Sequence, residues 1–351
     1  MGKHVARVLL SAIVCFVLVE TALQWRSHVR YGQSVFNAIK KESLYVTDRR
    51  TGLKTLRPHS GFAGSQAVIQ TNSLGLRSAE ISPVRRKGDL RIAVVGASTV
   101  MGAYAASNDD TFAAILQREL RALYPERQID VINAGIAGYT LLDQALMLKH
   151  RVAALQPDFV IVYPGFNDFG RYCSKQNRTA TPAKLQGLPL VELPSWLLSL
   201  ELITKNTVFL RTTPKAAEST VDPRNLNLNE YRDRLETLTH TAEELGLKLI
   251  MATNARAYRP DQPLKEQYAL SETARYYNPC FDIAGLHALY DLHNEIIREH
   301  AAARDIPLIP LDEMVPGGKK NFADASHFSP EGEKLVAQQI RNYLVDAYFK
   351  D

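Results

Sequence analysis

Leu90 to Gly102 reads LRIAVVGASTVMG. Apart from Arg91, the first six residues are apolar, and the run stops at a glycine. A short apolar run without polar alternation predicts a strand buried on both faces, as in a parallel sheet. Working outward, FAAILQRELRALY places apolar residues at helical spacing and predicts a helix over 111–124. Further strands are predicted at Ile129–Ile132, Pro157–Tyr163, Leu247–Ala252 and Ile306–Pro310. Helices are predicted near 141–155, 229–245, 284–303 and 329–349, the last with Ser329 as N-cap and Pro330 at its first position. Strands alternating with helices predict an α/β fold, with a mostly parallel sheet of five strands covered on both faces.

Composition narrows the class. Of 351 residues, 46% are hydrophobic, which is too apolar for a disordered chain and enough for one large domain or two modest ones. Three cysteines are too few for a disulfide scaffold, and no CxxC pair suggests a zinc ribbon. Of the 42 Lys and Arg and 37 Asp and Glu, ten and three fall in residues 1–60. The remaining chain therefore carries 32 basic and 34 acidic groups. A body so nearly neutral is the wrong layout for a groove that neutralises phosphates, and no nucleic-acid partner is expected.

The basic end is organised around VARVLLSAIVCFVLVETAL, Val5 to Leu23, with Lys3 and Arg7 in front and Trp25 behind. Its length approaches the roughly 20 residues of a membrane-spanning helix. A transmembrane signal-anchor is the expectation. A cleaved signal peptide is the main rival, although Glu20 and Ala22 make a poor cleavage site, and a buried helix of a soluble protein is the third reading. Positive charges flank both ends, so orientation rests on the shortness of the leading tail. That tail favours a cytoplasmic N-terminus and an extracytoplasmic body. In that compartment Cys173 and Cys280 can pair, or can equally stay as free buried thiols. The resulting division is residues 1–30 as anchor and flank, 31–88 as a basic arm, and 89–351 as the main domain with an insertion at about 169–227.

Ligands of open parallel sheets sit at the carboxyl ends of strands. Four polar blocks lie there: Gly96-Ala97-Ser98-Thr99, Asn133 to Gly138, Gly165-Phe166-Asn167-Asp168 and Asp324-Ala325-Ser326-His327. A hydroxyl becomes a useful nucleophile when a base removes its proton and a third group orients the base. Ser98, His327 and Asp324 fit those roles. The backbone N–H groups of Ser98 and Gly138 and the amide of Asn167 fit an oxyanion hole.

The ordered set Gly-x-Ser, Asn-x-x-x-x-Gly, Gly-x-Asn-Asp and Asp-x-x-His resembles the SGNH hydrolase superfamily, also called GDSL esterases and lipases, over about residues 89–351. The resemblance implies a flavodoxin-like three-layer α/β/α sandwich with a five-stranded parallel sheet. It implies a catalytic triad of Ser98, Asp324 and His327, an oxyanion hole of Ser98, Gly138 and Asn167, and a serine hydrolase acting on esters without a cofactor. The implied substrates are ester-bearing small molecules, lipids or acylated glycans. An O-acyltransferase acting on an envelope glycan, and a non-catalytic member that binds a glycan or a partner, are the alternatives. The family's Gly-Asp-Ser is Gly96-Ala97-Ser98 here. The Asn72–Arg77 turn resembles a stretch upstream of the domain in some anchored relatives and has no chemistry assigned.

Other signals are weaker. Gly96–Gly102 follows a strand but lacks both GxGxxG and a Walker lysine. His287, His293 and His300 are six and seven apart, which is not the spacing of HExxH, so a polar helix face is expected and no metal. Trp196, Leu197, Leu200 and Ile203 make an apolar stripe within the insertion, read either as a helix on the core or as a lid receiving an acyl chain. Tyr258, Tyr268, Tyr276 and Tyr277 either line a sugar-binding cleft or pack a loop.

Overall fold

A computed structural model describes residues 2–31, 44–63, 67–82, 85–176, 197–199 and 221–349. The chain divides into two compact units: Met1–Ser43 with Ala63–Ser65 and Thr179–Ala216, and all the rest. In the first unit, helix α1 (Gly2–Tyr31) contains the stretch His4–Arg26, with a mean hydropathy of 2.1. That stretch is long and apolar enough to cross a membrane, a property shared by anchors and signal sequences. Its one acid, Glu20, accepts the backbone N–H groups of Leu198 and Ser199 at 3.0 and 2.9 Å. A carboxylate in an apolar helix needs such donors, since leaving it bare is costly. Of the apolar stripe in the insertion only Leu197 is described; Trp196, Leu200 and Ile203 lie outside the described residues.

The second unit opens with β1 (Tyr45–Thr47) paired antiparallel with β2 (Lys54–Leu56), and next in the chain a two-stranded sheet joins β3 (Gly61–Ala63, its last residue in the first unit) to β4 (Val68–Gln70). The regular part follows: β5 (Leu90–Gly96), α2 (Ser98–Met101), α3 (Phe112–Leu123), β6 (Ile129–Gly135), α4 (Leu141–Met147) and β7 (Phe159–Tyr163). Next come α5 (Gly170–Gln176), α6 (Asn229–Glu244), β8 (Leu249–Ala252), α7 (Leu264–Leu270) and α8 (Glu272–Tyr277). The chain closes with α9 (Ile283–Ala303), β9 (Leu308–Ile309), α10 (Leu311–Met314) and α11 (Pro330–Tyr348). Five strands form one parallel sheet in the order β6-β5-β7-β8-β9. The chain order thus reverses beside β5, the switch point where such sheets bind ligands.

The sheet is buried because successive side chains of each strand enter opposite layers. Ile92 and Val94 pack with α3 and α11 residues such as Leu116, Val336 and Ile340. Ala93 and Val95 pack on the other face with Ala145 of α4 and Tyr231, Leu235 and Leu238 of α6. Register locks Leu90 to Ile129 and Gly96 to Gly135, so β5 and β6 end level. Strand β6 runs three residues past its predicted end, because Asn133–Gly135 are held by that pairing. The predicted helix near 141–155 is α-helical only to Met147, then continues as a π-turn and a 3-10 turn.

One buried residue ties part of the arm to the main domain. Arg77 is 1% exposed, and its guanidinium donates to the carbonyls of Val68, Met101, Gly102, Ala105 and Ser107 and to Oδ1 of Asn108. A buried cation is tolerated only with its donors used, and here they bind β4 and the 101–108 loop to one centre.

Candidate active site

Ser98 is the first residue of α2, immediately beyond the β5 strand end. The close fit of α2 needs Gly135, where an added Cβ would lie 2.3 Å from the Met101 nitrogen. The turn therefore sits directly on the ends of β5 and β6, with the serine at the sheet edge. From the far end of the chain, the 322–328 loop is closed by a bridge between Phe322 and Phe328 and delivers His327.

Nε2 of His327 lies 2.8 Å from Oγ of Ser98. Its Nδ1 lies 2.9 and 2.8 Å from the two carboxylate oxygens of Asp324. Oδ1 of Asp324 also accepts the backbone N–H groups of Ser326 and His327, each at 2.9 Å. Burial pushes the Asp324 carboxyl up, but the His327 hydrogen bond and charge with those two N–H groups outweigh it, and its pKa stays below the ordinary carboxylate value. The carboxylate is thus ionised and fixed, and holds the imidazole in the tautomer that leaves Nε2 to accept.

Gly138 and Asn167 reach the same place by different routes. Gly138 has φ +87°, a left-handed conformation that turns the chain after β6 back toward the serine. Asn167 donates one amide N–H to the Tyr139 carbonyl at 2.9 Å, leaving its second N–H as a donor. The buried Asp168 ties the two blocks together. It accepts the Leu141 N–H at 3.1 Å and pairs with buried Arg234 of α6. Ser98, Gly138, Asn167, Asp324 and His327 all line one open cavity of about 600 Å³. Its walls also include Tyr104, Phe166, Gly170, Thr273 and Tyr277.

Residues 94–335 match the GDSL-like Lipase/Acylhydrolase family. The chain belongs to this family. No curated protein matches it. Among solved structures it is similar to a lipase/acylhydrolase from Enterococcus faecalis, at 22% identity over 73% of this chain and 95% of that one, with a TM-score of 0.43. It is likewise similar to a variant of the acetyl xylan esterase Axe2 from Geobacillus stearothermophilus, at 18% identity over 75% and 97%, with a TM-score of 0.44. As a GDSL-family hydrolase with a parallel five-stranded sheet, it has the α/β architecture that its strand and helix alternation predicts.

Two residues of this GDSL-family site carry no sequence signal of their own. Tyr104 donates to Oδ2 of Asp324 at 3.3 Å, and its ring centroid lies 5.4 Å from that of His327. Burial, with Asp324 beside it, pushes the Tyr104 phenol up to about 12, so it remains a donor. Lys54 of β2 reaches the Ala137–Gly138 turn. Of the four tyrosines singled out in sequence, Tyr277 lines the cavity and Tyr276 packs edge-on against it. Tyr258 is wholly buried and Tyr268 is exposed away from the cavity lining.

The histidines of α9 correct an expectation. His287 and His293 are buried rather than spread on a polar face. His293 is bonded to the Tyr172 hydroxyl and the Leu289 carbonyl, and His287 to Gln267. Burial lowers both to about 4, which keeps them neutral. Among the described residues no group of three His, Cys, Asp or Glu side chains is placed to hold a metal ion. Cys173 of α5 and Cys280 beyond α8 form a disulfide. It joins two segments that each contribute to the cavity wall, through Gly170 and Tyr277.

Proposed function

We propose that this hydrolase cleaves carboxylic esters with Ser98, His327 and Asp324 as its catalytic triad. Oγ of Ser98 attacks the ester carbonyl carbon while Nε2 of His327 takes the hydroxyl proton. The carbonyl oxygen becomes an oxyanion received by the N–H groups of Ser98 and Gly138 and by the Asn167 amide. His327 then returns the proton to the departing alkoxide, which leaves as an alcohol. Water, activated by the same imidazole, attacks the acyl-enzyme and releases the acid and Ser98. The observation that carries this reading is the continuous chain from Ser98 Oγ to His327 to the ionised Asp324, opening on a cavity of about 600 Å³.

The substrate proposed is an ester-bearing small molecule or acylated glycan. Small residues Ala97, Ala137 and Gly138 surround the reacting position, and the 61% exposed Tyr277 offers an aromatic face farther out for the alcohol or sugar portion. The proposed placement is a single-pass anchor with the catalytic body outside the cytoplasm. Support comes from the apolar helix α1 and from the Cys173–Cys280 bond, since disulfides persist in oxidising compartments.

A fluorophosphonate probe tests the chemistry. Wild type is expected to be labelled, and Ser98→Ala to be unlabelled, inactive on p-nitrophenyl acetate and equally heat-stable. An unlabelled, inactive wild type, or labelling that survives Ser98→Ala, overturns the reading.

A further inference from the structure

The N-terminal arm reaches the candidate site through Lys54. Lys54, in β2, extends its half-buried side chain to the turn after β6 and donates from Nζ to the carbonyl oxygen of Ala137 at 2.5 Å. That carbonyl belongs to the same peptide unit as the Gly138 N–H. The ammonium also lies close to Gly138 itself, since a Cβ placed there would be 3.2 Å from Nζ.

The position of Lys54 is held at three points. Its backbone pairs with Thr47 in the β1–β2 hairpin. Its own carbonyl accepts the hydroxyl of Tyr139, which is 1% exposed. Its ammonium stands 4.9 Å from the ring centroid of Tyr45, a cation–π contact. Among the described residues no ion pair is formed by Lys54, so its charge is not cancelled by a neighbouring carboxylate.

We propose that Lys54 is a positioning residue for the oxyanion hole, acting through the Ala137–Gly138 peptide. An ammonium bonded to a carbonyl oxygen draws electron density from the amide nitrogen through the planar peptide unit. The N–H at the other end becomes a stronger donor. That N–H is the one assigned to the oxyanion, so the gain appears as negative charge develops and is small toward the neutral ester. The same bond fixes the orientation of the Gly138 N–H, which a glycine turn would otherwise leave free to rotate. The arm thereby forms part of the active site.

The inference rests on the serine-hydrolase reading and is tested with the full chain in detergent micelles. Lys54→Met keeps the alkyl stem and the backbone bond to Tyr139 while removing the charge. Loss of a whole oxyanion donor costs about 10²–10³ in kcat, so loss of a polarising neighbour is expected to cost about tenfold. KM for p-nitrophenyl acetate should stay within about twofold. Binding of phenylboronic acid, which forms a tetrahedral anion on serine, should weaken in parallel with kcat. Lys54→Arg, which keeps the charge, should lie closer to wild type than Lys54→Met. Rates are taken per fluorophosphonate-titrated site, so a partly unfolded preparation does not mimic the effect.

An unchanged kcat in Lys54→Met overturns the proposal. A change in KM alone also overturns it and makes Lys54 a contact to the substrate instead. A Lys54→Arg variant as slow as Lys54→Met removes the role of charge. These outcomes all leave wild type labelled and active, whereas an unlabelled, inactive wild type refutes the hydrolase reading itself.

Discussion

Replacing Asp324 by Asn tests the triad without disturbing the loop that carries it. In wild type, Oδ1 accepts the N–H groups of Ser326 and His327, while Oδ2 faces His327 Nδ1 and the Tyr104 hydroxyl. The two backbone donors require an acceptor, so the Asn oxygen is expected to keep the Oδ1 place. Its NH₂ then faces His327 Nδ1 and donates to it. The imidazole must adopt the opposite tautomer, and Nε2 then carries a hydrogen toward Ser98 instead of accepting one. Loss of the correct tautomer costs about 10⁴ in kcat in comparable triads, or about 5.4 kcal/mol at 1.36 kcal/mol per decade. Steady-state hydrolysis of p-nitrophenyl acetate across pH 5–9 measures it. A loss below about tenfold, in a variant that stays folded at the assay temperature, would refute the argued role of Asp324. The variant has a second signature. Because folding depresses the Asp324 pKa, its ionised form stabilises the wild type above the unfolded carboxylate value of about 3.9. That stabilisation is lost as pH falls through the lower folded value. The difference in melting temperature between wild type and Asp324→Asn should therefore narrow in acid.

Asn167→Ala removes one oxyanion donor and is expected to lower kcat by about 10²–10³ with little change in KM. An effect confined to KM would place Asn167 in substrate binding only. Replacing Cys173 and Cys280 by Ser opens a bond of sequence separation 107 and is expected to cost about 2–4 kcal/mol in urea unfolding. It should also raise KM, because both ends lie beside the cavity wall. Equal stability and KM with and without the bond would remove it from any part in shaping the cleft.

Much of the fold is legible in LRIAVV and its counterparts, since unbroken apolar strands between amphipathic helices have few ways to bury both faces. The sequence pattern was less informative where tertiary contact sets the local state. The arm carries little periodicity, and its strand β4 is tied to the 101–108 loop by Arg77, whose five carbonyl partners are named by no local pattern. The spacing of the α9 histidines predicts a polar face, because imidazole is polar. Packing against Phe169, Tyr172 and Tyr231 places His293 inside instead.

The candidate site divides along the same line. Ser98, Gly138, Asn167, Asp324 and His327 are recognisable in the chain because each sits in a short polar block after a strand, a place set by local pattern and by the rule that parallel strands end at a common edge. Lys54, Tyr104 and the Cys173–Cys280 pairing were decided by tertiary structure alone. Which carbonyl an ammonium meets, or which thiol faces another across 107 residues, depends on how distant segments are laid over one another. No spacing along the chain records that arrangement.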